Sequence, residues 1–188
     1  DSEERFRIIF EQAAVGIAQI GLDGRFAVVN DRLCQMLGRT REELLATTYM
    51  AVTHPDDLEQ NLRLAREALA GQTCYTLEKR YQRPDGSVVW ANLSVALVRA
   101  VDGSPVCSIS VVEDITQRRA AEEAIRAGEA RYRRIVETTQ EGIWLVDTQW
   151  RTTFVNPRMA EMLGRTPEAM IGSHILDFTD EEGRRLAE

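Results

Sequence analysis

Lysine is almost missing: of the 23 basic residues all but Lys79 are arginine, and 30 acidic residues leave a net charge of −7. No lysine-rich tail is present to hold a phosphate backbone, so nucleic acid is not an expected partner. Cysteine is equally sparse. Cys34, Cys74 and Cys107 are odd in number, far apart and outside any CxxC pattern, which fits free thiols in a reducing compartment better than bridges or a zinc site. A cytoplasmic location is the resulting expectation. No apolar run approaches the roughly 18 residues of a membrane span, and the acidic start Asp1-Ser2-Glu3-Glu4 has the wrong sign for a signal peptide. Direct membrane insertion is therefore not expected, although a parent protein can be anchored elsewhere. The sequence also has no GxGxxG, no GxxxxGK[ST], and no glycine-framed serine to accompany its two histidines. What is present is ordinary: 188 residues, 44% hydrophobic and 28% charged, enough for one domain or a pair of small ones.

An internal repeat organises the chain. Shifting the sequence by 126 residues lays Arg5 on Arg131, Arg7 on Arg133, Ile9 on Ile135, Glu11 on Glu137, Gly16 on Gly142 and Ile17 on Ile143. Val29-Asn30 then falls on Val155-Asn156, and Met36-Leu37-Gly38-Arg39-Thr40 on Met162-Leu163-Gly164-Arg165-Thr166 without a gap. A period this long marks a duplicated domain, because solenoid units run only about 20–50 residues. Within these 188 residues the second copy reaches the counterpart of Leu62, so the segment 63–116 has no second version. The second copy is expected to be an incomplete domain.

The pattern of the first copy runs from helices to strands. Phe6, Ile9, Phe10 and Ala13 lie at helical spacing, and the apolar runs 17–20 and 26–29 flank the turn residues Asp23-Gly24. Asn30 to Gly38 reads as a short helix stopped by its glycine, and Thr40 with Glu43 forms a capping box for the next turn. Pro55 opens a longer helix with Leu58, Leu62, Ala65 and Leu69 on one stripe, ended by Gly71. Three strands follow, 74–83, 87–99 and 105–115, separated by Pro84-Asp85-Gly86 and Asp102-Gly103-Ser104.

This order resembles a PAS domain with its C-terminal PAC segment. The resemblance is carried by Asn30 with Leu37-Gly38-Arg39-Thr40 and Glu42-Glu43-Leu44, by His54-Pro55-Asp56-Asp57, by Arg83-Pro84-Asp85-Gly86 to Trp90, and by Glu113-Asp114-Ile115-Thr116 with Arg118-Arg119. It implies an α+β fold, a five-stranded antiparallel sheet with short helices on one face, then a linker helix and a second, incomplete PAS copy. The expected parts are a PAS domain over 1–116, a helical linker over 117–139 and the start of a second PAS domain over 131–188. The resemblance also implies a sensory module of a larger signalling protein, a histidine kinase or a cyclic-di-nucleotide enzyme. Neither kinase catalytic segments nor a Gly-Gly-Asp-Glu-Phe cyclase motif is present, so this fragment is expected not to be an enzyme and the output domain belongs elsewhere in the parent chain.

Anchors for a coloured cofactor are weak. His54 is read as a helix start, with Asp56 and Asp57 complementing the dipole, and His174 falls opposite Thr48, so the repeat does not reproduce it. Cys34 sits in Asp31-Arg32-Leu33-Cys34-Gln35-Met36, whereas light-oxygen-voltage receptors carry Asn-Cys-Arg-Phe-Leu-Gln, and it reads as a packed thiol. The long helix has no tryptophan of the kind found in aerotaxis-type flavin sensors. Haem, flavin and metal are therefore not expected, and the pocket is expected to be empty, water-filled or occupied by a small organic molecule. Its candidate lining is Ile17, Val29, Leu33, Leu37, Leu62, Trp90, Asn92 and Val111. Asn92 or Ser94 would orient a ligand if their strand turned them inward, a direction that a slip of one residue reverses.

The joining segment carries the mechanism. Thr116 is placed to cap a helix to about Thr139, on which Ala121, Ile125, Gly128, Tyr132, Ile135 and Thr139 recur at alternating steps of four and three, a coiled-coil seam. The expected relay is Asp114 and Thr116 at the junction with Ile125 and Tyr132 on the seam, in a homodimer built on the flanking helices. The alternatives are a haem or flavin redox or gas sensor, and a ligand-free dimerisation spacer.

Overall fold

The computed structural model describes residues 2–178, so Asp1 and residues 179–188, the last part of the expected second copy, lie outside the described residues. The chain divides into two compact units between Ala121 and Glu122.

The first unit opens with helix α1 (Ser2–Gln12) and the hairpin β1 (Gly16–Gly21) and β2 (Phe26–Val29). Four helices follow, α2 (Asp31–Leu37), α3 (Arg41–Leu45), α4 (Tyr49–Val52) and α5 (Pro55–Ala70), then β3 (Cys74–Gln82), β4 (Val88–Arg99) and β5 (Pro105–Asp114). The strands form one antiparallel sheet in the order β2-β1-β5-β4-β3, which sets the terminal strand between the first hairpin and the β3–β4 ribbon. The helix boundaries follow local chemistry. Asn30 caps α2, Gly38 ends it at φ 63°, and the Thr40–Glu43 capping box starts α3. Pro55 sits at the first turn of α5, behind His54, whose Nδ1 accepts the Asp56 N–H at 3.3 Å. The histidine is a cap.

The core lies between the sheet and α2–α4. Val29, Leu33, Leu37, Leu44 and Val52 are sealed against Ala18, Val89, Ala91 and Val112, and each such side chain contributes about 1.5–3 kcal/mol by burial. Along β4 the residues Val89, Ala91, Leu93 and Val95 are buried and face this core. Alternation therefore turns Trp90, Asn92 and Ser94 to the other face. On α5 the expected leucine stripe is not the buried one: Asn61 and Ala68 are buried, while Leu69 is 44% exposed. The helix faces the sheet with a polar centre.

Helix α6 (Thr116–Thr138) runs across the division of the chain. The second unit then contains the hairpin β6 (Trp144–Val146) and β7 (Thr152–Val155), helices α7 (Pro157–Met162) and α8 (Pro167–Met170), and a 3-10 turn over Ile175–Phe178. Its core is small: Val155, Ala160 and Met170, with Trp144 and Phe178 meeting edge to face at 5.6 Å. Among the described residues its sheet has two strands.

The two copies share one detail of their hydrogen bonding. Asn30 Oδ1 accepts from the N–H groups of Ile17 and Leu33, and its Nδ2 donates to the carbonyls of Phe10 and Val15, all at 2.9–3.0 Å. Asn156 repeats every bond, accepting from Ile143 and Met159 and donating to Val136 and Glu141 at 2.8–3.0 Å. Each partner is the repeat counterpart of the other. A buried asparagine with two acceptor and two donor bonds filled is fully satisfied, and in each copy it fastens the preceding helix to the first strand and to the following helix.

Candidate ligand cavity and the strand-to-helix junction

A cavity of about 250 Å³ opens in the first unit between α5 and the sheet. Ile20, Leu62, Ala65, Leu93 and Val95 supply apolar wall, and Asn61, Tyr75, Lys79, Ser108 and Ser110 supply polar groups. Of the eight expected lining residues only Leu62 is among them. Val29, Leu33 and Leu37 are packed into the core beside it. Ile17, Trp90, Asn92 and Val111 lie on the opposite sheet face, where the register pairs Ile17 with Val111 and Trp90 with Arg80. The cavity sits further toward β3 than expected because α5, with its small residues Ala65 and Ala68, does not fill the sheet there.

Lys79, the only lysine of the chain, is fully buried. On β3 it shares the inward face with Leu77 and Tyr81, which was the available signal in the sequence: a lysine at alternate positions with apolar residues. Its Nζ donates to Asn61 Oδ1 at 2.6 Å and Thr53 Oγ1 at 2.8 Å, and lies 4.3 Å from the centre of the Tyr81 ring and 5.7 Å from that of Tyr49. The Thr53 hydroxyl donates onward to the Tyr49 carbonyl at 2.7 Å, and Asn61 Nδ2 donates to Tyr75 Oη at 3.3 Å. Burial pulls the Lys79 ammonium down to about 7, opposed by the charge of Asp57. The same loss of water pushes the Tyr75 hydroxyl up to about 12 and raises Tyr81 as well. The next residue, Arg80, takes the other side. It donates to Asp57 from its backbone N–H at 2.7 Å, from Nε at 3.0 Å and from its terminal nitrogen at 2.8 Å, and these bonds hold the Asp57 carboxyl below its usual range. The N-terminal end of α5 is thereby fastened to β3.

The junction after β5 is built around Trp90. Its backbone N–H donates to Thr116 Oγ1 at 3.0 Å, and its carbonyl accepts the Ile115 N–H at 2.9 Å. The Thr116 N–H donates to Asp114 Oδ1 at 2.9 Å. The threonine hydroxyl is thus engaged by β4 and does not serve as the helix cap that its position suggests. Arg119 lies 3.9 Å over the Trp90 ring and Arg80 5.3 Å from it, geometry in which a cation is held by the ring face. Arg118 and Arg119 also pair with Glu78 on β3 at 3.0 and 2.8 Å. Asp114 and Thr116 belong to this assembly. Ile125 and Tyr132, each 63% exposed on α6, do not.

No group of His, Cys, Asp and Glu among the described residues is placed to hold a metal, and no described helix is long and apolar enough to cross a membrane. Cys34, Cys74 and Cys107 are free.

Comparison with known proteins agrees with the order of strands and helices. The profile described as "PAS fold" matches residues 26–112 and that described as "PAS domain" matches 130–188. The chain belongs to the PAS family. A probable diguanylate cyclase, DgcE of Escherichia coli, is 37% identical over 145 residues, covering 77% of this chain and 13% of that protein. The sensor histidine kinase TmoS of Ectopseudomonas mendocina is 30% identical over 125 residues, covering 66% of this chain and 13% of that protein. The chain thus spans about an eighth of these curated relatives. A PAS domain from Colwellia psychrerythraea superposes with a TM-score of 0.58 at 20% identity, over 62% of this chain and 99% of that structure. PAS sensory domains of this kind are parts of signal-transduction proteins, kinases and cyclases among them.

Proposed function

We propose that this chain is the sensory and dimerisation part of a longer cytoplasmic signalling protein whose kinase or cyclase output lies outside these residues. The first unit takes a small organic molecule in the cavity beneath α5. The observation that carries the reading is the double use of β4: Leu93 and Val95 line the cavity, while Trp90 on the same strand binds Ile115 and Thr116 at the start of α6. A molecule that favours one position of the cavity wall also favours one position of β4, and so of the Trp90–Thr116 contact and α6. Ile125, Tyr132 and Ile135, all about 60% exposed on α6, are then the surface through which a second copy receives the change. The occupant proposed is colourless: the lining has neither histidine nor cysteine, and His54 is engaged as a cap.

The test is a thermal-shift screen of the intact chain against small organic molecules, read with its visible spectrum and its mass by light scattering. The expected result is a colourless protein, stabilised by some compounds, whose Ile125→Asp, Tyr132→Asp double variant shifts toward monomer. A Soret or flavin spectrum at near-stoichiometric level would replace the reading with that of a cofactor-bound redox or gas sensor. The ligand-free spacer is the second reading, favoured by the same exposed residues of α6, and it predicts dimer formation with no compound-dependent shift.

A further inference from the structure

The wall of the cavity is unbalanced in charge and in hydrogen-bonding sense. Lys79 is completely buried, and among the described residues no carboxylate is within ion-pair distance of its Nζ. Its two acceptors, Thr53 and Asn61, are neutral. The nearest acidic group on α5, Asp57, is already bound by Arg80 through three bonds. Tyr75 Oη accepts from Asn61, which leaves its own proton available to a guest, and Ser108 and Ser110 line the cavity from β5 of the same sheet. Asp23, the lone carboxylate on the lining, is at an exposed edge beside Arg25. Tyr75, Ser108 and Ser110 can therefore each donate a hydroxyl proton, and the one buried cation of the wall has no carboxylate partner among the described residues.

We infer that the cavity takes a small organic anion, a monocarboxylate with a short apolar tail, whose carboxylate supplies the charge that Lys79 lacks. The inference rests on the reading of the cavity as the sensory site. A buried ammonium is costly unless paired, and an entering carboxylate pairs it while Tyr75 donates to the second oxygen. The tail lies against Leu62, Leu93 and Val95. Taking about 30 Å³ for each water-sized group, the volume admits a molecule of roughly eight non-hydrogen atoms, the size of pentanoate or hexanoate. Burial lowers Lys79 to about 7, and a carboxylate at hydrogen-bond distance would favour the charged form and raise it again. The groups facing it are Tyr49 from α4, Thr53 before α5, Asn61 and Asp57 from α5, and Tyr75 and Tyr81 from its own strand. Of these only Asp57 is ionised near neutrality, and it is spent on Arg80.

The single lysine gives a direct probe. The ¹³Cε resonance of Lys79 in the intact chain is to be titrated with pH, alone and with saturating pentanoate or hexanoate, and the affinities compared with those for pentanamide and 1-pentanol. The expected result is an apparent pKa raised by one unit or more with the carboxylates, affinity at least tenfold above the neutral analogues at pH 6, and carboxylate binding that weakens as the pH rises past about 7, the value of Lys79 without the anion. Lys79→Met should abolish the preference for the anion while leaving pentanol binding in place. If the neutral compounds bind and the carboxylates do not, the anion assignment fails and the cavity remains a sensory site for uncharged molecules. If neither class binds and the Lys79 resonance does not move, the sensory reading of the cavity fails with it. The wild-type titration decides these outcomes even if the methionine variant does not fold.

Discussion

The two copies hold the same buried asparagine clamp but cover the helix that follows it differently. Asn30 and Asn156 each make four bonds to equivalent partners. Met36 is 2% exposed, whereas Met162, its counterpart in the identical run, is 63% exposed. The clamp needs only the preceding helix, one strand and the helix that follows, all within a few dozen residues. The core around Met36 needs β4 and β5 as well, which come last in the first unit's sheet and have no counterpart among the described residues of the second unit. Local geometry is thus duplicated with the sequence, while burial depends on what long-range pairing adds. The cavity and the β4–α6 junction are built from that segment of the first unit.

The largest effect that could break this comparison is at the methionine pair. Met36→Ala should cost about 2–5 kcal/mol, the range for emptying a filled core site, whereas Met162→Ala should stay within about 0.5 kcal/mol, as expected at an exposed position. Amide exchange under increasing denaturant reads each unit by its own strands. Equal costs would show that the second unit is covered in solution by something other than its described strands.

The clamp should behave in the opposite way. Asn30→Ala and Asn156→Ala each leave buried backbone groups without partners, at about 1–3 kcal/mol for such a loss, and the two costs should agree within about 1 kcal/mol because the networks coincide. Exchange at Ile17 and at Ile143, whose N–H groups are bonded to these side chains, gives the comparison. A large cost in one copy alone would mean that the shared geometry does not carry shared energy.

A graded effect sharpens the contrast through pH. Lys79, with its folded value lowered to about 7, binds a proton less readily folded than unfolded. Between about pH 7 and 10.4 the unfolded chain therefore holds the extra proton, and stability from this group rises with pH by up to about 1.4 kcal/mol per unit. Below about 7 its penalty is fully present and constant. The stability of Lys79→Met relative to the parent should accordingly increase as pH falls from about 10 to 7 and then level off, for the first unit only, since the second contains no lysine. A pH-independent difference in urea unfolding would mean that Lys79 is solvated.

Much of this fold is legible in the residues themselves. The capping box at Thr40–Glu43, the glycine stops, the proline start of α5 and the repeat depend on neighbours in sequence, and the strands fall within a residue or two of their expected ends. The lining was not legible. Which side of β4 turns inward depends on its register with β3 and β5, and a shift of one residue exchanges Trp90 and Asn92 for Ala91 and Leu93. The apolar residues Val29, Leu33 and Leu37 gave no sign of whether they line a void or fill it. The polarity of Asn61 and Lys79 does not mark them as lining, and only the alternation of Leu77, Lys79 and Tyr81 on one face points inward.

The central claim is that the state of the cavity is passed along β4 to the start of α6. Ala65→Phe, which places a ring in the cavity from α5, imitates occupancy without a choice of ligand. Site-resolved hydrogen exchange of the intact chain should then show changed protection at Trp90, Ile115 and the first turn of α6, while the Ile143 and Asn156 amides of the second unit's clamp keep their rates. Changes limited to α5 and the inner strand positions, with Trp90 and Ile115 unaffected, would contradict it.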